Sequence, residues 1–385
     1  MIHRTLTEIF NARLFSGKTV LLLGPRQVGK TTLMKQIFQN YQGKSVWLNA
    51  DNPEDRELLN QMNSARAPEL FPPGYLVIID EAQRLESSGL ALKIIHDSCP
   101  EIQLMASGSS SFELTDKIKE SLTGRKWTFK LFPLSFEELS DHWSPLELIR
   151  TLETRMIYGS YPEVINRAGN EKEVLYELVS DYLYKDLFSI KEIRNPDVLE
   201  KLVKALAFQV GNQVSNRELS NLVQADKETI ERYLYLLEEA FVIFRLGSFS
   251  RNLRSELKLS KKIYFYDNGI RNALISQFSP LSLRNDTGAL WENLMISERL
   301  KRNEYHRQYC NSYFWRTNRQ QEIDYLEEYD GKLHAYEFKW NPSKNPRAVS
   351  TFTQSYPDAD YQEIHKENFF DFIKPPEFPD STLKG

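Results

Sequence analysis

Cysteine is nearly absent. Only Cys99 and Cys310 occur, far apart and in no C-x-x-C spacing. That excludes a disulfide framework and a cysteine zinc site, and it sets the expectation of a reducing, cytoplasmic compartment. Positive charge is not in excess either. Lys and Arg number 49 against 53 Asp and Glu, for a formal net charge of -4. The chain is therefore no basic nucleic-acid coat, and any such contact has to come from a local patch. No apolar run approaches the ~18 residues a membrane span needs. The opening MIHRTLTEIF has no apolar core of a leader, so neither a signal peptide nor a membrane partner is expected. No internal repeat, low-complexity tract or guanine-reading N-K-x-D signature is visible, and the last absence favours ATP over GTP.

What is present belongs to a soluble globular chain: 385 residues, 41% hydrophobic and 26% charged. That length predicts two or three domains. Residues 1–142 alternate short apolar runs with helical stretches. Thr19 to Gly24, Ser45 to Ala50, Tyr75 to Asp80 and Ile102 to Gly108 read as strands covered on both faces, hence a parallel α/β sheet. Residues 143–285 turn mostly helical. Ser215 to Ala240 reads as helix, turn, helix, with Ile230, Tyr233, Leu234 and Leu237 on one stripe. The paired strand-like runs that follow make this a winged-helix expectation. Residues 286–385 form another mixed α/β unit, in which Asp330-Gly331 marks a hairpin.

The sharpest signal is GPRQVGKT, from Gly24 to Thr31, between a predicted strand and a predicted helix. It fills the G-x-x-x-x-G-K-[ST] pattern. Gly24, Pro25, Arg26, Gln27, Val28 and Gly29 form a loop whose N–H groups wrap phosphate oxygens, and the helix from Lys30 presents its positive end to the same anion. Lys30 reaches the β- and γ-phosphates, Thr31 ligates magnesium, and Thr32 completes the nucleotide-binding run. YLVIIDEAQ then ends a buried strand in two acids. Asp80 is placed to hold magnesium and Glu81 to polarise the attacking water. After the next strand, Ser107 and Ser109 are candidate γ-phosphate sensors. Arg125 is a candidate arginine finger, acting in cis or in trans.

The middle segment points two ways. Asp226, Glu228, Glu231, Glu238 and Glu239 make the second helix acidic, which opposes entry into a phosphate-lined groove. The segment 245–262 is basic through Arg245, Arg251, Arg254, Lys258, Lys261 and Lys262. A DNA-contacting wing and a protein-docking module are both compatible with this pattern.

In the last segment Asp324 precedes Glu337 and Lys339 as D…E-x-K, and residues i and i+2 of a strand share a face. Convergence of Asp324 with that pair, and with Glu292 on the preceding helix, would give a magnesium-dependent phosphodiesterase centre in which Lys339 stabilises the transition state.

In order along the chain run GPRQVGKTTLMKQI, VIIDEAQ, ASGSSS, LTGRK, LFPLSFEEL, YGSYPEVI, YDNGIRNALI and FWRT…EIDY…YEFKW. From about residue 1 to 375 this series resembles a widespread family of bacterial and archaeal AAA-type ATP-binding proteins. Their C-terminal domain of unknown function is related to restriction-endonuclease-like folds. The resemblance implies an AAA-type core, a helical and winged-helix middle and a nuclease-like end. It places the Walker A pair on Lys30 and Thr31, the Walker B acids on Asp80 and Glu81, and the family's arginine on Arg125. The leading proline of the PD-(D/E)xK pattern is missing, since Ile323 precedes Asp324. The expectation is a magnesium-dependent ATPase coupled to a DNA- or partner-directed C-terminal half, with a homo-oligomer compatible because AAA-type cores often hydrolyse at subunit junctions. An ATP-gated nuclease and a non-hydrolysing nucleotide switch that docks a protein are the alternatives. A small-molecule P-loop kinase would leave the later motifs without a role.

Overall fold

The computed structural model describes residues 2–109, 122–180, 187, 193–250, 261–317, 319–344 and 350–374. Contacts divide them into two compact units. The first is residues 1–134 with 239–241, and the second is 135–238 with 242–385.

The first unit is built on a five-stranded, fully parallel sheet. Its strands are β1 (Thr19–Leu23), β2 (Ser45–Asn49), β3 (Leu76–Asp80), β4 (Gln103–Gly108) and β5 (Lys126–Lys130), in the order β2-β3-β4-β1-β5. Strands β1, β3 and β4 are buried along their whole length, which is why they read as unbroken apolar runs. β5, with sequence KWTFK, lies at the edge and buries only Phe129 fully, so apolar patterning did not reveal it. The Lys30–Asn40 helix leaves β1 through Gly29, a residue in the left-handed region at φ 96°.

The second unit carries a seven-stranded sheet. It adds β6 (Gln213–Val214), β7 (Ile243–Ser248), β8 (Lys261–Phe265), β9 (Asn311–Arg316), β10 (Glu322–Tyr329), β11 (Lys332–Phe338) and β12 (Asp360–Ile364), ordered β12-β11-β10-β9-β7-β8-β6. The helices Asn216–Val223 and Lys227–Glu239 form the expected helix–turn–helix, and β7 and β8 pair antiparallel after it. β7 also pairs in parallel with β9, so a single sheet runs across the boundary drawn at residue 285. The Asp330-Gly331 hairpin forms with both residues at positive φ, 52° and 73°, as a tight turn between β10 and β11 requires.

YGSYPEVI and YDNGIRNALI turn out to be packing motifs. Asp267 caps the Asn268–Leu274 helix by accepting from Gly269 N and Ile270 N, and it also accepts from Ser160 N at 2.7 Å. A Cβ on Gly159 would fall 1.9 Å from Asp267 Oδ1, so only glycine fits there. Asn272 Nδ2 donates to the carbonyls of Met156 and Ile157 and ties off the end of the Pro145–Tyr158 helix.

Candidate functional site

In the first unit the loop 24–29 turns over the C-terminal end of β1. Gly24 at φ 155°, Gln27 at 59° and Gly29 at 96° bend the backbone into a cradle. A Cβ on Gly24 would sit 2.1 Å from the Leu131 carbonyl oxygen, so the loop owes its close fit to the end of β5 to that glycine. Buried Arg4 braces the cradle from beneath, donating to the carbonyls of Val28 and Phe132 at 2.7 Å each. No pattern in the sequence singled Arg4 out.

Lys30 is buried, and its Nζ donates to the carbonyls of Gly24 at 2.8 Å and Pro25 at 2.7 Å. Those contacts keep the ammonium inside the cradle. Thr31 Oγ1 donates to Asp80 Oδ2 at 2.8 Å. The hydroxyl and carboxylate assigned to magnesium from sequence are therefore already adjacent. The donor set fits a nucleoside triphosphate with its metal: N–H groups and a lysine for the phosphates, and a hydroxyl and a carboxylate for the cation.

Glu81 follows Asp80 in a left-handed conformation, φ 54° and ψ 40°. Its N–H is held by Asp80 Oδ1 at 3.2 Å and Ser107 Oγ at 3.1 Å. Ser107 Oγ also donates to Asp80 Oδ1. The Glu81 carboxylate accepts from Gln83 Nε2, which also donates to Ser109 Oγ at 2.8 Å. The two serines proposed as sensors thus contact the acid pair, Ser107 directly and Ser109 through Gln83. The DEAQ run displays Gln83, but no pattern in the sequence assigns it a role.

Arg125 is not brought to this cradle. Thr19 pairs with Lys126 and Leu23 with Lys130, so Arg125 lies beside the N-terminal end of β1 while the cradle follows its C-terminal end. Its guanidinium pairs with Asp97 at 3.1 Å. A strand of five residues spans about 17 Å, which removes Arg125 from the nucleotide of its own chain.

In the second unit the D…E-x-K residues do converge. Tyr325 pairs with Tyr336, and the same register brings Asp324 alongside Glu337. Asp324 Oδ2 accepts from Phe338 N at 2.9 Å, and Lys339 Nζ pairs with Glu337 Oε1 at 2.8 Å. Glu292, from the Thr287–Tyr305 helix, joins them, but its Oε1 already accepts from Tyr264 OH at 2.5 Å and from Lys262 Nζ at 3.0 Å. Lys262 also pairs with Glu322. Among the described residues no group of three or more His, Cys, Asp or Glu is placed to hold a metal ion. One oxygen each of Glu292, Asp324 and Glu337 is engaged by a protein donor, and the Lys262 ammonium already stands between Glu292 and Glu322.

Two of the six cations of the basic-wing expectation are paired within the protein. Lys262 is 3% exposed and paired within the protein. Arg245 is spanned by Glu231 and Glu238 of the preceding helix. Lys261 is exposed, whereas Arg251, Arg254 and Lys258 lie outside the described residues.

Burial, with the Asp324 charge next, pushes the Glu292 carboxyl up to about 7. Burial likewise raises Asp324 and Glu337. The folded state therefore holds protons that the unfolded chain releases above the ordinary carboxylate range. Stability from these groups is complete at low pH and is lost as pH climbs toward 7. The melting temperature of the second unit is expected to fall between about pH 5 and pH 7, and Glu292→Gln to flatten that fall. Calorimetry across that range checks both, and an unchanged slope in Glu292→Gln would contradict the assignment.

Three family models match the chain in succession. Residues 16–140 match an AAA domain, residues 149–281 a domain of unknown function (DUF8612), and residues 287–370 another (DUF4143). The chain is 27% identical over 339 residues to the uncharacterized protein Mb2031c of Mycobacterium bovis, covering 85% of this chain and 71% of that one. It is 24% identical over 378 residues to the uncharacterized protein MJ1544 of Methanocaldococcus jannaschii, covering 92% and 82%. A stretch of 120 residues is 32% identical to the replication factor C large subunit of Methanosphaera stadtmanae, covering 29% of this chain and 22% of that protein. Among solved structures, the Walker-type ATPase PABY2304 of Pyrococcus abyssi aligns over 71% of this chain and 96% of its own, with a TM-score of 0.49 and 18% identity. The stretch that matches an AAA domain thus coincides with the parallel sheet and the phosphate loop of the first unit, a P-loop NTPase fold. Among the described residues no helix is long and apolar enough to cross a membrane.

Proposed function

We propose that this chain hydrolyses ATP with magnesium at the 24–32 cradle and uses the cycle to change how its second unit engages a protein partner. The observation that carries the first half is the Thr31–Asp80 hydrogen bond directly after Lys30 and the loop. The loop N–H groups and Lys30 orient the phosphates, Lys30 exchanging its contacts with the Gly24 and Pro25 carbonyls for phosphate oxygens. Thr31 and Asp80 would hold magnesium, which would supply charge neutralisation at the transferring phosphoryl group. Glu81 accepts the proton of the attacking water once its carboxylate leaves Gln83.

For the second half, the helix–turn–helix and its strand pair are read as a winged helix used for docking. The helix that would enter a DNA groove carries Glu228, Glu231, Glu238 and Glu239, and two cations of the following strands are consumed inside the protein. A phosphate-lined partner would meet net negative charge there.

The test is ATP turnover by the full chain, with and without duplex DNA, beside Lys30→Ala. Turnover that Lys30→Ala removes and DNA leaves unchanged is the expected result. Several-fold stimulation by DNA would transfer the second unit to nucleic acid. Tight ATP binding without turnover would leave a nucleotide switch.

A further inference from the structure

We propose that Lys262, held by Glu292 and Glu322, is the resident cation beside the Asp324–Glu337–Lys339 cluster. Its ammonium takes the part a divalent metal would play in a D…E-x-K centre, and the cluster fastens β8 to the Thr287–Tyr305 helix and β10 instead of cutting phosphodiesters. This inference does not rest on the ATPase reading.

Three elements meet at one ammonium. Lys262 from β8 donates to Glu292 of the helix at 3.0 Å and pairs with Glu322 of β10. The Lys262 side chain is 3% exposed, and the ring of buried Phe314 lies 5.6 Å from Nζ. An ammonium this enclosed persists only where carboxylates neutralise it.

With all four acids ionised, the charges nearly balance without an added ion. The acids are Glu292, Glu322, Asp324 and Glu337. Against them stand Lys262, Lys339 on Glu337, and Arg316 at 3.4 Å from Glu322. A divalent ion brought here would face cations already tied to the chain. Magnesium also demands oxygen ligands at about 2.0–2.1 Å in near-octahedral geometry, whereas here Glu292 Oε1 bonds Tyr264 OH and Lys262, Asp324 Oδ2 bonds Phe338 N and Glu337 Oε1 bonds Lys339. The sequence pattern D…E-x-K is kept, and a lysine 62 residues before Asp324 closes it.

The test uses the full chain carrying Asp80→Asn, which removes the carboxylate of the nucleotide cradle as a competing metal ligand. Mn2+ binding is followed by electron paramagnetic resonance in this protein and in Asp80→Asn with Asp324→Asn. The expected result is no stoichiometric Mn2+ at millimolar metal that depends on Asp324. One tightly bound Mn2+ per chain, lost with Asp324→Asn, would overturn the proposal. So would Mn2+-dependent cutting of plasmid DNA that Asp324→Asn abolishes.

Lys262→Gln in the same background tests the fastening. It should lower the melting temperature of the second unit by about 10 °C. Added Mn2+ should restore part of that loss, but not once Asp324→Asn is added. A Lys262→Gln protein as stable as its parent and indifferent to Mn2+ would sink the idea. Should Lys262→Gln fail to fold, the Mn2+ comparison in the lysine-bearing chains still decides.

Discussion

Glu81→Gln is expected to lower ATP turnover by about 10²–10⁴-fold while leaving ATP binding nearly intact. The substitution keeps size and hydrogen-bonding reach, so the loop 24–29, Lys30 and the Thr31–Asp80 pair are undisturbed. The backbone of Glu81 is fixed from two sides, by Asp80 Oδ1 and Ser107 Oγ, so the replacement side chain should start from the same place. What is lost is a carboxylate able to take a proton. Lys30→Ala should behave differently, because it removes a cation from the phosphates and weakens both binding and turnover. Fluorescent-nucleotide titration beside single-turnover hydrolysis separates the two. Turnover of Glu81→Gln within a few-fold of the parent would move the general base elsewhere.

The largest stability effect is expected at Arg299. This side chain of the Thr287–Tyr305 helix meets Glu327 of β10 with two parallel bonds, Nε to Oε1 at 2.9 Å and Nη2 to Oε2 at 2.7 Å. Its Nη1 donates to the Phe372 carbonyl, and its guanidinium lies 4.7 Å from the Phe372 ring centre. The Glu327 side chain is fully buried. Arg299→Ala would leave that carboxylate with Asn303 and Tyr325 as its neutral donors. Breaking a buried pair from one side costs about 3–5 kcal/mol. In a unit of this size that lowers the melting temperature by roughly 6–20 °C. Calorimetry of Arg299→Ala reads this directly, and Arg299→Met with Glu327→Leu should recover much of the loss. A single variant that melts within about 2 °C of the parent would show the pair to be energetically idle.

Legibility followed how local each signal was. The cradle was readable because its donors are consecutive residues, from Gly24 to Thr31, and Asp80 and Glu81 because they end a buried apolar strand. β5 and β12 escaped because KWTFK and DYQEI, short segments at sheet edges, hold only two apolar residues each and form no apolar run. Arg125 follows a glycine and reads as a finger in cis or in trans. Only the pairing of Thr19 with Lys126 reveals that it stands at the far end of the strands. Asp324, Glu337 and Lys339 were correctly gathered by strand periodicity. The same periodicity carries no information on Lys262, whose burial depends on a helix and a strand distant in sequence. Charge was visible along the chain, but its neutralisation is a property of the folded sheet.

The double pairing of β7 has a practical consequence for dissection. β7 is hydrogen-bonded to β8 on one side and to β9 on the other. A fragment cut near residue 285 would leave the Gly247 and Ser248 end of β7 as a raw edge, and the complementary fragment would bare β9. Unpaired strand edges seek other chains. The segments 149–281 and 287–370 match separate family models, yet they share one hydrogen-bonded sheet. Expressed apart, each would be prone to self-association, so their solubility is a joint property of the intact second unit.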